Sequence, residues 1–255
     1  MKKLRNIANN YAPWILGIAL LFFWELAGYF NLLPQFIIPT PSEIILALTE
    51  EWQALIYNSA ITLFQALVGL FIGILIAFIL AIGMDRIPWV RRAFYPYLIV
   101  SQTIPTVAIA PILVLWLGYD MTPKIVLVVL TTLFPIVINV LEGFASVDED
   151  AENLLKLMGA NYREILWHVK LPASLSYFFS GLKISVSYAF VASVIAEWLG
   201  GFEGLGVYMI RAKNAFAYDN MFAAIVVISA VSLILLGLVA LIERAMTPWQ
   251  YKDFK

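Results

Sequence analysis

The groups able to do chemistry in this sequence are few, and most stand in apolar surroundings. Glu25 lies in FFWEL, Glu197 in VIAEWLGG and Glu142 at the end of VINVLE, each inside or beside a long hydrophobic run. An ionised side chain at the centre of a bilayer costs roughly 2.5–3.5 kcal/mol on insertion scales, so such a residue needs a function or a partner. Glu142 is read as reaching water at the end of its run. For Glu25 the expectation is an interhelical hydrogen bond holding the first helix to the core. Glu197 has two readings, a cap at the Gly200-Gly201 turn or a group lining the outer end of a passage between helices. In SQTIPTVAIAPILVLWLG, Ser101, Gln102 and Thr103 precede Pro105 and Pro111. The prolines remove backbone donors, so a bend is expected, and the polar residues beside it either line a cavity or bond to a neighbouring helix. Ser185, Ser187, Ser193, Ala189, Ala192 and Ala196 form a small-residue stripe, read as a close-packing face or the seam of a dimer.

Catalytic chemistry is not expected. There is no cysteine and one histidine, His168, read as a surface residue, so neither a thiolate nor a histidine metal cluster is available. No set of paired acids, or of serine with a base, presents itself for an intramembrane enzyme. A GxxxxGK[ST] loop is missing, so no nucleotide cofactor is expected in this chain. A net charge of -1 gives no nucleic-acid footprint.

The elements that must position these groups follow from composition. The chain is 62% hydrophobic and 13% charged, against about 25% charged in soluble domains. A membrane-crossing helix takes about 20 mostly apolar residues. Six runs qualify, at 13–30, 60–84, 93–117, 124–142, 176–199 and 221–243, and they are continuously apolar, which excludes alternating barrel strands. The expectation is an all-α integral membrane protein of six helices in one transmembrane domain, 1–255. The first run follows Lys2, Lys3 and Arg5 but no small-residue cleavage site follows it, so it is read as a retained helix. With the N-terminus inside, twelve Lys and Arg fall on the inner segments, Lys252 and Lys255 among them, and three (Lys124, Arg211, Lys213) on the outer ones. This asymmetry places both termini in the cytoplasm. Pro34, Pro39 and Pro41 break the first outer loop, after which Ser42 and Glu43 begin a short surface helix. Trp116, Tyr119, Trp198 and Tyr208 read as interface anchors.

One inner segment, 143–175, is amphipathic. Asp148, Glu149 and Asp150 suit a helix start, and Leu154, Leu155, Leu157 and Met158 fill one side of it. Gly159 marks a turn, and a second helical piece, 163–169, is expected to stop at Leu171-Pro172. Such an apolar face either lies on the inner leaflet or docks a partner.

The spacing Gly159, nine residues, Val169-Lys170-Leu171-Pro172 resembles the "EAA" loop of permease subunits in ATP-binding-cassette importers, which reads EAA, three residues, Gly, nine residues, I-x-L-P. Asn153, Leu154 and Leu155 stand where the family has Glu, Ala and Ala, Glu152 is one place early, and Val169 replaces isoleucine. The resemblance extends along the chain. WELAGYFNLLPQFIIPTPSEI is similar to the nitrate/sulfonate/taurine branch, while SQTIPTVAIAPILVLWLGYDMTPKI and AEWLGGFEGLGVYMIRAKNAFAYDNMFA resemble members for thiamine-precursor pyrimidines or riboflavin.

The resemblance implies a type I importer permease fold in a prokaryotic plasma or inner membrane. It implies two permease copies, two ATPase subunits carrying ATP and Mg, and an extracytoplasmic solute-binding protein that delivers a small organic solute. A thiamine-precursor pyrimidine is the expected solute, with sulfonate, taurine, nitrate or riboflavin as alternatives and a secondary transporter as a remote one. The ATPase-coupling residues it implies are Glu152, Leu154, Leu157, Met158, Gly159, Ala160, Tyr162, Arg163 and Pro172. The pathway candidates are Gln102, Thr103, Pro105, Ser193 and Glu197.

Overall fold

The structure is a computed structural model and describes residues 2–30, 34 and 37–248. Lys252 and Lys255, counted in the charge asymmetry, and most of 31–36 lie outside the described residues. The described residues are helical without strands: α1 (Lys2–Tyr29), α2 (Pro41–Glu50), α3 (Trp52–Arg86), α4 (Pro88–Thr103), α5 (Thr106–Leu117), α6 (Thr122–Ala145), α7 (Glu149–Leu157), α8 (Tyr162–Ile165), a π-helical turn (Leu166–Lys170), α9 (Leu171–Gly200), α10 (Leu205–Asn214) and α11 (Tyr218–Met246). Five are long and apolar enough to cross a membrane, and α4 with α5, a pair bent by 104°, is long and apolar enough only when taken together.

The chain divides into two units, Met1–Asn58 with Tyr208–Val227, and Ser59–Val207 with Ile228–Lys255. In the first, Thr40 caps α2 through a capping box. Its Oγ1 accepts the Glu43 amide at 3.3 Å while Glu43 Oε2 accepts the Thr40 amide at 2.7 Å, and Pro41 supplies the preset φ of a first turn. Glu25 joins this cap, accepting the Ser42 amide at 3.0 Å and its hydroxyl at 2.7 Å. Its interhelical bond therefore runs from α1 to the surface helix, not to a core helix.

The second unit is built on α6 and α9, which bury Leu127, Val128, Ile136, Val140, Phe179, Val186 and Phe190. Lipid tails are as apolar as these side chains, so close backbone approach must replace a hydrophobic drive. Gly143 lies against Ser174, Gly181 against the Pro135 carbonyl and Asn139, and the Ser185 hydroxyl donates to the Thr132 carbonyl at 3.0 Å. Ser185, Ala189, Ala192, Ser193 and Ala196 of the stripe are buried within the single chain and Ser187 is half-buried, so the stripe packs mainly inside the chain. Lys183 of α9 is neutralised by Glu243 of α11.

Three local expectations change. The run 93–117 bends by 104° between α4 and α5, and the break falls at Ile104-Pro105 alone. Proline disfavours helical geometry in the residue before it, and Ile104 is extended (φ -87°, ψ 119°), whereas Pro111 sits inside α5. Leu171-Pro172 does not end a helix. The chain stays helical from Tyr162 to Gly200, because the Leu171 amide reaches back five residues to the Leu166 carbonyl and the wider π turn precedes a proline in the first turn of α9. Of the segment 143–175, only 146–161 lies between α6 and this long helix, with α7 inside it. Finally, 200–220 contains a helix, α10, whose signal was Arg211 and Lys213 in its last turn.

Candidate coupling loop and membrane cavity

Both ends of α7 are closed by local chemistry. The Asp148 carboxylate accepts the Asp150 amide at 3.0 Å, and Glu149, Asp150 and Glu152 fill the positive first turn. At the other end Gly159 takes φ +90°; its amide donates to the Lys156 carbonyl at 3.0 Å and the Ala160 amide to the Leu155 carbonyl at 2.9 Å, a Schellman termination. Asn161 then opens α8 with a reciprocal Glu164 box, at 3.1 Å and 2.7 Å.

No residue of α7 is buried. Leu154 is 58%, Leu157 87% and Met158 75% exposed, so one helix end presents a bare apolar surface. Arg163 and Pro172 are exposed and Ala160 half-buried. Glu152 faces the other way. It pairs with Lys156 at 2.8 Å and with Lys170 at 3.4 Å, and the Lys156 hydrogen bond, helped by Lys170, holds its carboxyl below the usual range despite partial burial.

Lys170, in the π turn, is buried, and its ammonium bonds both oxygens of Asp85 at 2.9 Å. Tyr162 donates to Asp85 Oδ2 at 2.9 Å, with the Arg86 guanidinium 5.4 Å from its ring centroid. Sequence reading named Glu152 and Tyr162 but missed Asp85, Arg86 and Lys170, because their partners lie far away in the chain. His168 is exposed, and its Nδ1 donates to the Glu164 carbonyl at 2.8 Å.

The α4–α5 break opens a cavity of about 500 Å³. Gln102 and Pro105 line it with Ser101, Thr106, Thr131 and Tyr188, and no charged side chain contributes. Thr103 lies off this lining, its hydroxyl donating to the Val100 carbonyl at 2.8 Å. So do Ser193 and Glu197, which are 0% and 1% exposed. Glu197 Oε1 accepts the Thr62 hydroxyl at 2.8 Å and Oε2 accepts the Gly206 amide at 2.7 Å. The helix that holds these two residues reaches the cavity instead with Tyr188, Val191 and Ala192.

An exposed amphipathic helix and a polar cavity at a bent helix pair fit a transport component, and comparison with known proteins decides the family. Residues 69–248 match the model of the binding-protein-dependent transport system inner membrane component. The chain belongs to that family. The permease is 32% identical over 94% of its length to the formylaminopyrimidine transport permease protein of Halalkalibacterium halodurans, of which it covers 96%. It is also 32% identical to the riboflavin transport system permease protein of Chloroflexus aurantiacus, over 91% of this chain and 87% of that one. The taurine transport system permease protein of Escherichia coli is 30% identical, over 92% and 87%. The crystal structure of an amino acid ABC transporter with histidines shares the fold at a TM-score of 0.62 and 15% identity, over 78% of this chain and 97% of that one. The permease therefore has the type I fold of ABC importer membrane subunits and is a component of the inner membrane, not an enzyme. Family membership implies an ATPase and a solute-binding protein as partners.

Proposed function

We propose that two copies of this permease form the pathway of an importer that takes a small, uncharged heterocycle of the thiamine-precursor pyrimidine kind from a binding protein. Both termini face the cytoplasm, and two ATPase subunits, carrying ATP and Mg, seat the two α7 helices. Closure of the ATPases draws those helices together and opens the pathway outward; solute crosses as the cycle reverses. The observation that carries the reading is the exposed Leu154, Leu157 and Met158 at the end of a helix capped at both termini. Apolar surface so far from water's preference needs a cover. Glu152, Gly159, Ala160, Tyr162, Arg163 and Pro172 shape or flank that seat.

The solute class is supported by the cavity, whose amide and hydroxyl groups suit a neutral molecule. An anionic sulfonate would enter a low-dielectric site that offers it no cation side chain. The relationship to the formylaminopyrimidine permease points the same way. Affinity purification from native membranes tests the reading: an ATPase accompanies the permease and is lost from Leu157→Asp. A permease recovered alone that moves solute in ATP-free vesicles overturns it in favour of a secondary transporter.

A further inference from the structure

We infer that Lys170, paired with Asp85, is the positioning residue that carries movement of α7 into α9, which lines the cavity, and into α3. The inference rests on the reading of α7 as the ATPase seat. Because α7 buries none of its residues, packing does not fix it to the helices behind it. A polar tie does. The Lys170 ammonium meets Glu152 of α7 at 3.4 Å and both oxygens of Asp85, near the end of α3, at 2.9 Å, while Tyr162 adds its hydroxyl to the same carboxylate at 2.9 Å. One buried cation thus joins α7, α3 and the root of α9. Removing a partner from a buried pair leaves a charge without compensation, so the three elements move together instead of parting.

The tie sits in the π turn, where the helical ladder is locally widened, a feature that recurs at functional sites. From Lys170, α9 runs 18 residues to Tyr188 on the cavity lining, about 27 Å at 1.5 Å per residue. Displacement of α7 is therefore delivered to the base of the helix that lines the cavity and, through Asp85, to α3. Glu152 and Tyr162 act here by holding Lys170 and Asp85 in register.

The chain has no cysteine, so Val191→Cys, at an exposed position on the cavity lining, provides a single reporter for a membrane-impermeant maleimide. The assay compares its labelling rate in the purified permease–ATPase complex with and without ATP and Mg. In the otherwise unchanged permease, ATP changes the rate severalfold. With Lys170→Met or Asp85→Asn added, the ATPase still co-purifies and hydrolyses ATP but the change in rate is lost, while Lys170→Arg retains most of it. A Lys170→Met complex that responds like the parent overturns the inference. If the methionine variant does not assemble, Tyr162→Phe decides: at least a twofold smaller response supports the tie, and an unchanged one removes it. Loss of the ATPase from Leu157→Asp is a separate measurement, so failure of the docking reading and failure of the tie are distinguishable.

Discussion

Thr62 and Glu197, separated by 135 positions, together cap a helix to which neither belongs. The Thr62 hydroxyl donates to Glu197 Oε1 at 2.8 Å and accepts the Leu205 amide at 2.9 Å, while Glu197 Oε2 accepts the Gly206 amide at 2.7 Å. The first free amides of α10 are thus satisfied by side chains from α3 and α9, which suits a carboxylate at the positive end of a helix. Replacing Glu197 by Ala strands the Gly206 amide in a buried site, at about 1–3 kcal/mol. The expected outcome is a lower melting temperature in mild detergent, read by size-exclusion survival after heating. Glu197→Gln, which keeps the shape and one acceptor, loses about half as much.

Gly181 and Gly237 are both helical glycines with opposite expectations. A Cβ on Gly181 would stand 2.7 Å from the Pro135 carbonyl and 3.0 Å from Asn139 Cβ, whereas one on Gly237 meets nothing within 4 Å. Gly181→Leu overpacks the α6–α9 contact and costs about 1–3 kcal/mol or more. Gly237→Ala gains about 0.5–1 kcal/mol from reduced backbone freedom. Thermal survival of the two variants checks both signs at once.

Gly159 has open space around its α-carbon but a φ of +90°. Its substitution is therefore a pure backbone test, with about 1–2 kcal/mol expected for an L side chain in left-handed geometry. Gly159→Val frays the end of α7 and lowers ATPase retention during purification. Gly159→Asn, which tolerates positive φ, loses less; equal losses would point to a lost contact surface instead.

Gln102 brings the amide among the polar groups of the cavity. A neutral hydrogen bond is worth about 1 kcal/mol, so Gln102→Leu should slow solute uptake by reconstituted complex roughly fivefold. Basal ATP hydrolysis and ATPase co-purification stay unchanged. Thr103→Val, off the lining, serves as the comparison and leaves uptake near the parent value.

Glu152 sets a pH dependence. Its carboxyl is held below the ordinary value of 4.5, first by the Lys156 hydrogen bond, with Lys170 adding to it. The folded chain then binds this proton less readily than the unfolded chain. The stabilisation is present above pH 4.5 and is lost as pH falls through the lowered value. The melting difference between the parent and Glu152→Gln should be constant from pH 6 to 8 and close toward pH 3.5, as a pH series of melting curves will show.

How much of this was legible beforehand can be judged residue by residue. Leu154, Leu157, Met158 and Gly159 were readable because a helix stripe and its glycine stop are local patterns, set by neighbours within one or two turns. Ile104-Pro105 was readable as a bend for the same reason, since the missing amide belongs to the proline itself. The helix at Leu205–Asn214 was overlooked, its capping groups being supplied by Thr62 and Glu197 from elsewhere in the chain. Pro172 misled because its usual meaning, a stop, is suspended when a π turn precedes it.

By itself the sequence determined the class of molecule. Continuous apolar runs leave the backbone no partner in lipid except its own helix, and one amphipathic segment interrupts them. Only the tertiary structure decided which polar groups face the cavity and which are consumed in holding it together. Gln102 and Glu197 look equally exposed to function in one dimension; one lines the cavity, and the other is buried under a helix end. Lys170 and Asp85, 85 positions apart, carry no mutual signal along the chain. A pair of opposite charges is identified by distance in space, and that distance exists only after α3 and α9 have packed.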